Sequence, residues 1–222
     1  MTRDKAKGSA GFTILEMMIA MTIMLIALSI VSMLFARASG VKSRESRKTD
    51  ALTSAQAGLN VISREIANSG FGLYMDPASR VASNGIILAD SDAHRLHLRA
   101  NLTNSQAYGT SGNGATSDPG EDITYFLDSS TSSIVRYDAN SPSGSRTAVL
   151  VNRISNVTFD YVNYTVGSSA TTTTSTPTAT TGRVIITIVV QLDPVAGQPN
   201  PGTVTFTSAV TLRNANYMLQ QY

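Results

Sequence analysis

The sequence predicts an α+β fold in which one long N-terminal helix, membrane-spanning in its first half and amphipathic in its second, packs on an antiparallel β-sheet. Three observations predict it. Met17 to Ala36 is a run of about 20 residues with no charge, Gly or Pro, long enough to cross a bilayer as a helix. Leu52, Ala55, Leu59, Ile62 and Ile66 then recur at alternating steps of three and four, the stripe of a helix lying on an apolar surface. Beyond Gly70 and Gly72 the apolar pattern switches to period two, the mark of strands.

The chain begins with a polar head, Met1 to Gly11, followed by Phe12-Thr-Ile-Leu and then Glu16 at the mouth of the apolar run. A bare carboxylate in hydrocarbon costs several kcal/mol, so Glu16 needs a partner. Its place at a helix N-terminus is favoured by the macrodipole. From Arg37 the residues turn polar, but no Pro occurs before Pro77, and the helix is expected to run from Thr13 to about Asn68. That is roughly 80 Å at about 1.5 Å per residue. Gly40 and Gly58 weaken it only locally, and Gly70 and Gly72 end it as cap and turn residues.

Candidate strands follow in order: Gly85 to Leu88, Arg95 to Arg99, Ile123 to Leu127, Ile134 to Tyr137, Ala148 to Val151, Val157 to Tyr164, Arg183 to Leu192 and Thr203 to Leu212. Turn residues separate them, which suggests an antiparallel meander. Asn104 to Glu121 and Gly167 to Gly182 are too rich in Gly, Ser and Thr to bury a core and read as solvated loops.

Gly11-Phe-Thr-Ile-Leu-Glu16 before a long apolar run resembles the cleavage and methylation junction of the type IV pilin superfamily. The resemblance implies a pilin-like fold. It also implies that prepilin peptidase cuts between Gly11 and Phe12, that Phe12 becomes the N-methylated terminus with Thr13, Ile14 and Leu15 completing the junction, and that Glu16 serves assembly. The physics is compatible with that assignment: a new ammonium at Phe12 is a cation that Glu16, of this or a neighbouring subunit, can neutralise in an apolar filament core. The body is similar to PilW-type minor pilins in four stretches, of which the first and the last are also similar to J-type pseudopilins of type II secretion. These are Ile62-Ser-Arg-Glu-Ile-Ala-Asn-Ser-Gly-Phe-Gly, the strand sequences Ile123-Thr-Tyr-Phe-Leu and Val151-Asn-Arg-Ile-Ser-Asn-Val, and the closing Val210-Thr-Leu-Arg-Asn.

The expected organisation is a cleaved leader at 1–11, a transmembrane or filament-core helix at 12–36, its amphipathic continuation at 37–69 and a β-rich globular domain at 70–222. The whole chain has 17 Lys and Arg against 15 Asp and Glu, and the leader holds three of those cations and one of those carboxylates. The remainder is balanced, which argues against nucleic acid as a partner. By charge alone the five basic residues from Arg37 to Lys48 favour a cytoplasmic position for the segment after the run. The junction implies the opposite orientation, with the leader in the cytoplasm and the domain outside the inner membrane, and it overrules the charge count. Those cations then sit where the helix leaves the membrane and would meet lipid headgroups.

With no cysteine, the chain has neither thiolate chemistry nor the C-terminal disulfide loop of many major pilins. No phosphate loop, nucleophile elbow or His-Glu-x-x-His helix appears, so no enzymatic activity, cofactor or metal is expected. His94 and His97 near Asp90 and Asp92 read as a turn entering an edge strand, and Asp118, Glu121 and Asp122 as a solvated acidic turn rather than a Ca²⁺ loop. The expected function is that of a PilW-like minor pilin that helps to prime pilus assembly. Its partners would be prepilin peptidase, other major and minor pilins, the inner-membrane assembly platform and, before assembly, membrane lipid. A J-type pseudopilin is the alternative within the superfamily. A single-pass anchored binding or catalytic domain is the alternative outside it.

Overall fold

In the computed structural model the described residues are 11–73, 75–76, 81–103, 116–165, 168–192, 194 and 202–215. The leader up to residue 10 and most of the first Gly/Ser-rich loop, 104–115, lie outside them. Two compact units divide within the long helix, between Ser46 and Arg47.

The helix α1 runs Ile14–Asn68 without interruption, as the uncharged run and the lack of Pro dictate. In the first unit its residues up to Phe35 are exposed on every side. In the second unit Ala55, Gly58, Leu59, Ile62 and Ile66 are buried, which is the expected stripe. Leu52, at its near end, is only half-buried. Each fully buried Ile or Leu on this face contributes about 1.5 to 3 kcal/mol. Gly58 proves to be part of the packing rather than a local weakness. A Cβ built there would lie 2.2 Å from Val151 Cγ2, so the missing side chain lets the helix backbone approach the sheet.

The helix ends where the glycines predict. Gly70 has φ +80°, a conformation that other residues reach only with strain, and its N–H donates to Arg99 O at 2.9 Å. The chain's close returns to the same place: Arg213 N–H donates to Ala67 O at 3.3 Å, and Asn214 Nδ2 to Ser69 O at 3.1 Å. The Leu-Arg-Asn ending singled out in the sequence therefore fastens the end of α1.

A two-residue ribbon, β1 (Met75–Asp76) with β2 (Val81–Ala82), precedes two four-stranded antiparallel sheets. The first is the expected meander, in the order β3 (Arg95–Arg99), β4 (Asp122–Asp128), β5 (Ser133–Asp138) and β6 (Thr147–Asn152). The second contains β7 (Ile154–Tyr164), β8 (Thr171–Thr174), β9 (Thr181–Gln191) and β10 (Thr203–Thr211) in the spatial order β10-β9-β7-β8. The chain passes between sheets at Arg153, whose carbonyl accepts from Gln191 N–H at 2.8 Å. Leu59, Ile62 and Ile66 of α1, Leu96, Tyr125 and Ile134 of the first sheet, and Phe159, Tyr161, Ile186 and Ile188 of the second share one core. This is an α+β, pilin-like arrangement.

Three expectations are corrected. The strands form two sheets, because β6 and β7 do not pair although only Arg153 separates them; the second sheet is not a simple meander either, since after β8 the chain crosses back to pair β9 with the other side of β7. Gly85 to Leu88 is not a strand: it makes one bridge, Ile86 to Leu98, and turns into a 3-10 helix at Leu88–Asp90. Gly85 O accepts from Arg99 N–H at 2.7 Å and Ile87 N–H donates to His97 O at 2.9 Å, but the pairing goes no further, because Asp90 N–H folds back onto Ile87 O at 3.1 Å; Ile86 N–H, on the other side, is taken by Asn84 Oδ1 at 3.1 Å. Thr171 to Thr174, within the expected loop 167–182, is an edge strand, although all four residues are exposed and bury no core.

Candidate functional site

The head of α1 is built by a reciprocal cap. Thr13 precedes the first helical residue, and its Oγ1 accepts from Glu16 N–H at 3.2 Å. Glu16 reaches back: its Oε2 accepts from Thr13 N–H at 2.9 Å and from Thr13 Oγ1 at 3.0 Å. This is a capping box, in which the carboxylate satisfies an N–H that the helix cannot. The Thr-x-x-Glu spacing was there to be read in the sequence. The box uses only one carboxylate oxygen. Among the described residues Oε1 accepts no hydrogen bond, and it stands open at the head of an apolar surface.

The remaining junction residues stay apart. Gly11 has open space where a Cβ would stand, Phe12 is 85 % exposed and Ile14 82 % exposed. Gly11 and Phe12 are therefore accessible from outside the fold, ahead of the first helical turn. Behind Glu16 the helix surface is Met, Ile, Leu, Val and Phe, with a mean hydropathy of 2.5 and nothing buried over its most apolar window. Two of its hydroxyls are satisfied internally, Thr22 Oγ1 donating to Met18 O and Ser29 Oγ to Leu25 O, both at 2.8 Å. Such a surface is compatible with a bilayer or with other apolar helices.

The other titratable groups noted in the sequence are held within the fold. Glu121 and Asp122 do not form a solvated acidic turn, which corrects that expectation. Glu121 is buried, and its carboxylate accepts from Thr103 N–H at 2.9 Å and Asp118 N–H at 3.1 Å. Burial alone would push its carboxyl up. The backbone donors of Thr103 and Asp118, with the Thr103 hydroxyl, outweigh that and hold it below the usual carboxylate range. His94 and His97 do not converge: His94 Nδ1 meets Val157 O at 2.8 Å, while His97 faces Asp90 and Asp122. A polar connection between α1 and the first sheet was missed altogether. Glu65 accepts from Tyr125 Oη and, at 3.1 Å, from Arg136 Nε. Burial first, and the Glu65 carboxylate second, push the Tyr125 phenol far above its ordinary range.

Residues 6–34 match the model of the prokaryotic N-terminal methylation motif. The match takes in the junction, the capping box and most of the apolar run, and it ends before the amphipathic half of α1 and the sheets. It supports a prepilin-processed protein of the type IV pilin-like or pseudopilin kind, and it is consistent with membrane anchoring through the helix. Comparison with curated proteins and with solved structures gives no significant match.

Proposed function

We propose that this chain is a PilW-like minor pilin, cut between Gly11 and Phe12 by prepilin peptidase, methylated at Phe12 and built into a type IV pilus through α1. The observation that carries the reading is the state of Glu16: one oxygen is fixed by Thr13 and the other is open, at the mouth of an uncharged helix. Cleavage creates an ammonium at Phe12. Once helices bundle, Glu16 of one subunit neutralises the Phe12 amine of a neighbour, and the capping box aims the acceptor without using it up. An unpaired carboxylate in that core would cost several kcal/mol, so pairing selects register as well as contact.

The proposed role is assembly, not catalysis. The leader stays in the cytoplasm and the β-rich domain lies outside the inner membrane. Before assembly, Arg37, Lys42, Arg44 and Lys48 meet lipid headgroups where the helix leaves the bilayer. Afterwards the chain joins major and other minor pilins on the inner-membrane platform and helps to start the filament. The lack of cysteine, and so of the disulfide loop of many major pilins, counts against a major structural pilin.

The test is incorporation of wild type, Glu16→Asp and Glu16→Ala into sheared filaments, at equal membrane levels. Loss of a buried charge partner worth about 3 kcal/mol corresponds to a drop of about a hundredfold for Glu16→Ala. Glu16→Asp should retain part of the function. Equal incorporation of Glu16→Ala would refute the role of the carboxylate.

A further inference from the structure

The solvent face of the edge strand β3 carries an unbroken chain of alternating charge. Arg95 Nε lies 3.0 Å from Asp90 Oδ1, Asp90 Oδ2 lies 2.8 Å from His97 Nδ1, His97 Nε2 lies 2.6 Å from Asp122 Oδ1, and Arg99 Nε donates to Asp122 Oδ2 at 2.7 Å. Arg95, His97 and Arg99 share one face because strand side chains alternate, while Leu96 and Leu98 between them enter the core. Asp90 comes from the 3-10 turn before β3, and Asp122 from the neighbouring strand β4.

The imidazole is the informative member. A neutral ring has one N–H and one bare nitrogen, and a carboxylate can only accept. Both ring nitrogens here face carboxylate oxygens at hydrogen-bond distance, so a neutral ring would set a lone pair against a lone pair. Both contacts are attractive only if the ring carries hydrogen on each nitrogen. We infer that His97, Asp90 and Asp122 form a proton-dependent clasp that fastens the 88–90 turn to β3 and β4. The other groups facing it are Arg95 and Arg99 on its own strand, the Thr124 hydroxyl opposite it on β4, and Tyr137 beside Thr124 on β5. Asp138, the next carboxylate on β5, is engaged by Gly120 N–H and Ser141 Oγ.

The geometry also sets which side opens when the proton leaves. Both carboxylates are also held by an arginine, Asp122 by Arg99 Nε at 2.7 Å and Asp90 by Arg95 Nε and Nη2 at 3.0 Å each, but Asp122 is nearly buried whereas the Asp90 side chain is 40 % exposed and has water as an alternative to the ring. The Asp90–His97 contact is therefore the one that lets go and loosens the turn, while Asp90 stays paired with Arg95, Ile87 N–H stays on His97 O at 2.9 Å and β3 keeps its ladder to β4.

The chain has only two histidines, which makes the test direct. The full chain is labelled with ¹⁵N-histidine, solubilised in detergent and measured by NMR at pH 7, with His94→Gln to assign the signals. The expected spectrum shows hydrogen on both ring nitrogens of His97. Asp90→Asn, whose amide needs no proton from the ring, should leave His97 with a single N–H at the same pH, the amide spectrum otherwise showing the fold intact. A bare ring nitrogen in the wild type would overturn the clasp. So would a His97 that keeps both hydrogens in Asp90→Asn, because Asp122 alone would then account for them.

Discussion

Gly58→Ala adds one methyl group where the helix meets β6. The new Cβ would stand 2.2 Å from Val151 Cγ2, against an ordinary carbon contact of about 3.5 to 4 Å, while its next neighbours, Val151 Cβ at 3.7 Å and Leu150 O at 3.8 Å, are unstrained. Val151 is 2 % exposed and has no solvent to swing into. Overpacking of this kind costs about 1 to 3 kcal/mol, and replacing a helical Gly by Ala returns about 1 kcal/mol. The net expectation is a loss of about 1 kcal/mol, or a fall in Tm of about 3 °C for a domain of this size. Thermal unfolding of the full chain in detergent, followed by far-UV circular dichroism, measures it. Val151→Ala alone should cost about 2 kcal/mol as a cavity. In the double variant the methyl group introduced by Gly58→Ala enters the vacated space, so the combined loss should fall short of the sum by at least about 1 kcal/mol. A Tm for Gly58→Ala that rises by about 3 °C, as helix propensity alone would give, refutes the close approach, and so does strict additivity in the double variant.

Three further outcomes follow from the same contacts. Glu65→Ala leaves the Arg136 guanidinium without its main partner in a mostly buried place, and Tm should fall by an amount equivalent to about 3 kcal/mol, whereas Tyr125→Phe should cost about 1 kcal/mol. Ser132 sits at φ 49°, so Ser132→Gly should raise stability by about 0.5 kcal/mol, the relieved strain exceeding the added chain entropy; a loss would mean that the hydroxyl has a partner that matters more. The Glu121 carboxyl is held below its ordinary range in the folded chain, so the stability it contributes is present above the ordinary glutamate range, about pH 4.3, and is lost as pH falls through the lowered value. Glu121→Gln should therefore be less stable at pH 6 and show a flatter decline of Tm between pH 6 and 3; parallel declines would contradict the assignment.

Much of this fold is legible in the sequence because its elements announce themselves by period. The uncharged run and the stripe from Ala55 to Ile66 define a single helix, and the bounds Ile14–Asn68 fall within a residue of those expected. Strand β3 appears with its expected ends because Leu96 and Leu98 alternate with charged neighbours. What period cannot show is a strand with no buried face, and Thr171 to Thr174 is such a strand, held at the edge by its backbone ladder to β7 and by Asn163 Nδ2, which donates to Thr174 Oγ1 at 2.8 Å. Nor can it show where a pairing stops, as it does when Asp90 N–H folds back onto Ile87 O.

The functional head was equally readable in outline. Glu16 stood out because a carboxylate has no reason to sit at the mouth of an apolar run without a partner, and its first partner is Thr13, three residues away. Glu65 and Glu121 were harder, since nothing in their local sequence separates a buried, bonded carboxylate from a solvated one. Most of their partners, Tyr125 and Arg136 in one case and Thr103 in the other, are distant in the chain; only Asp118 N–H, on Glu121, is local.

The most direct test of the account is the intact mass of the chain recovered from membranes, with and without a co-expressed prepilin peptidase. The expected result is a peptidase-dependent loss of Met1 to Gly11 together with one added methyl group on Phe12. An N-terminus that remains uncut under both conditions would contradict it, leaving a single-pass anchor whose Glu16 serves only to cap its own helix.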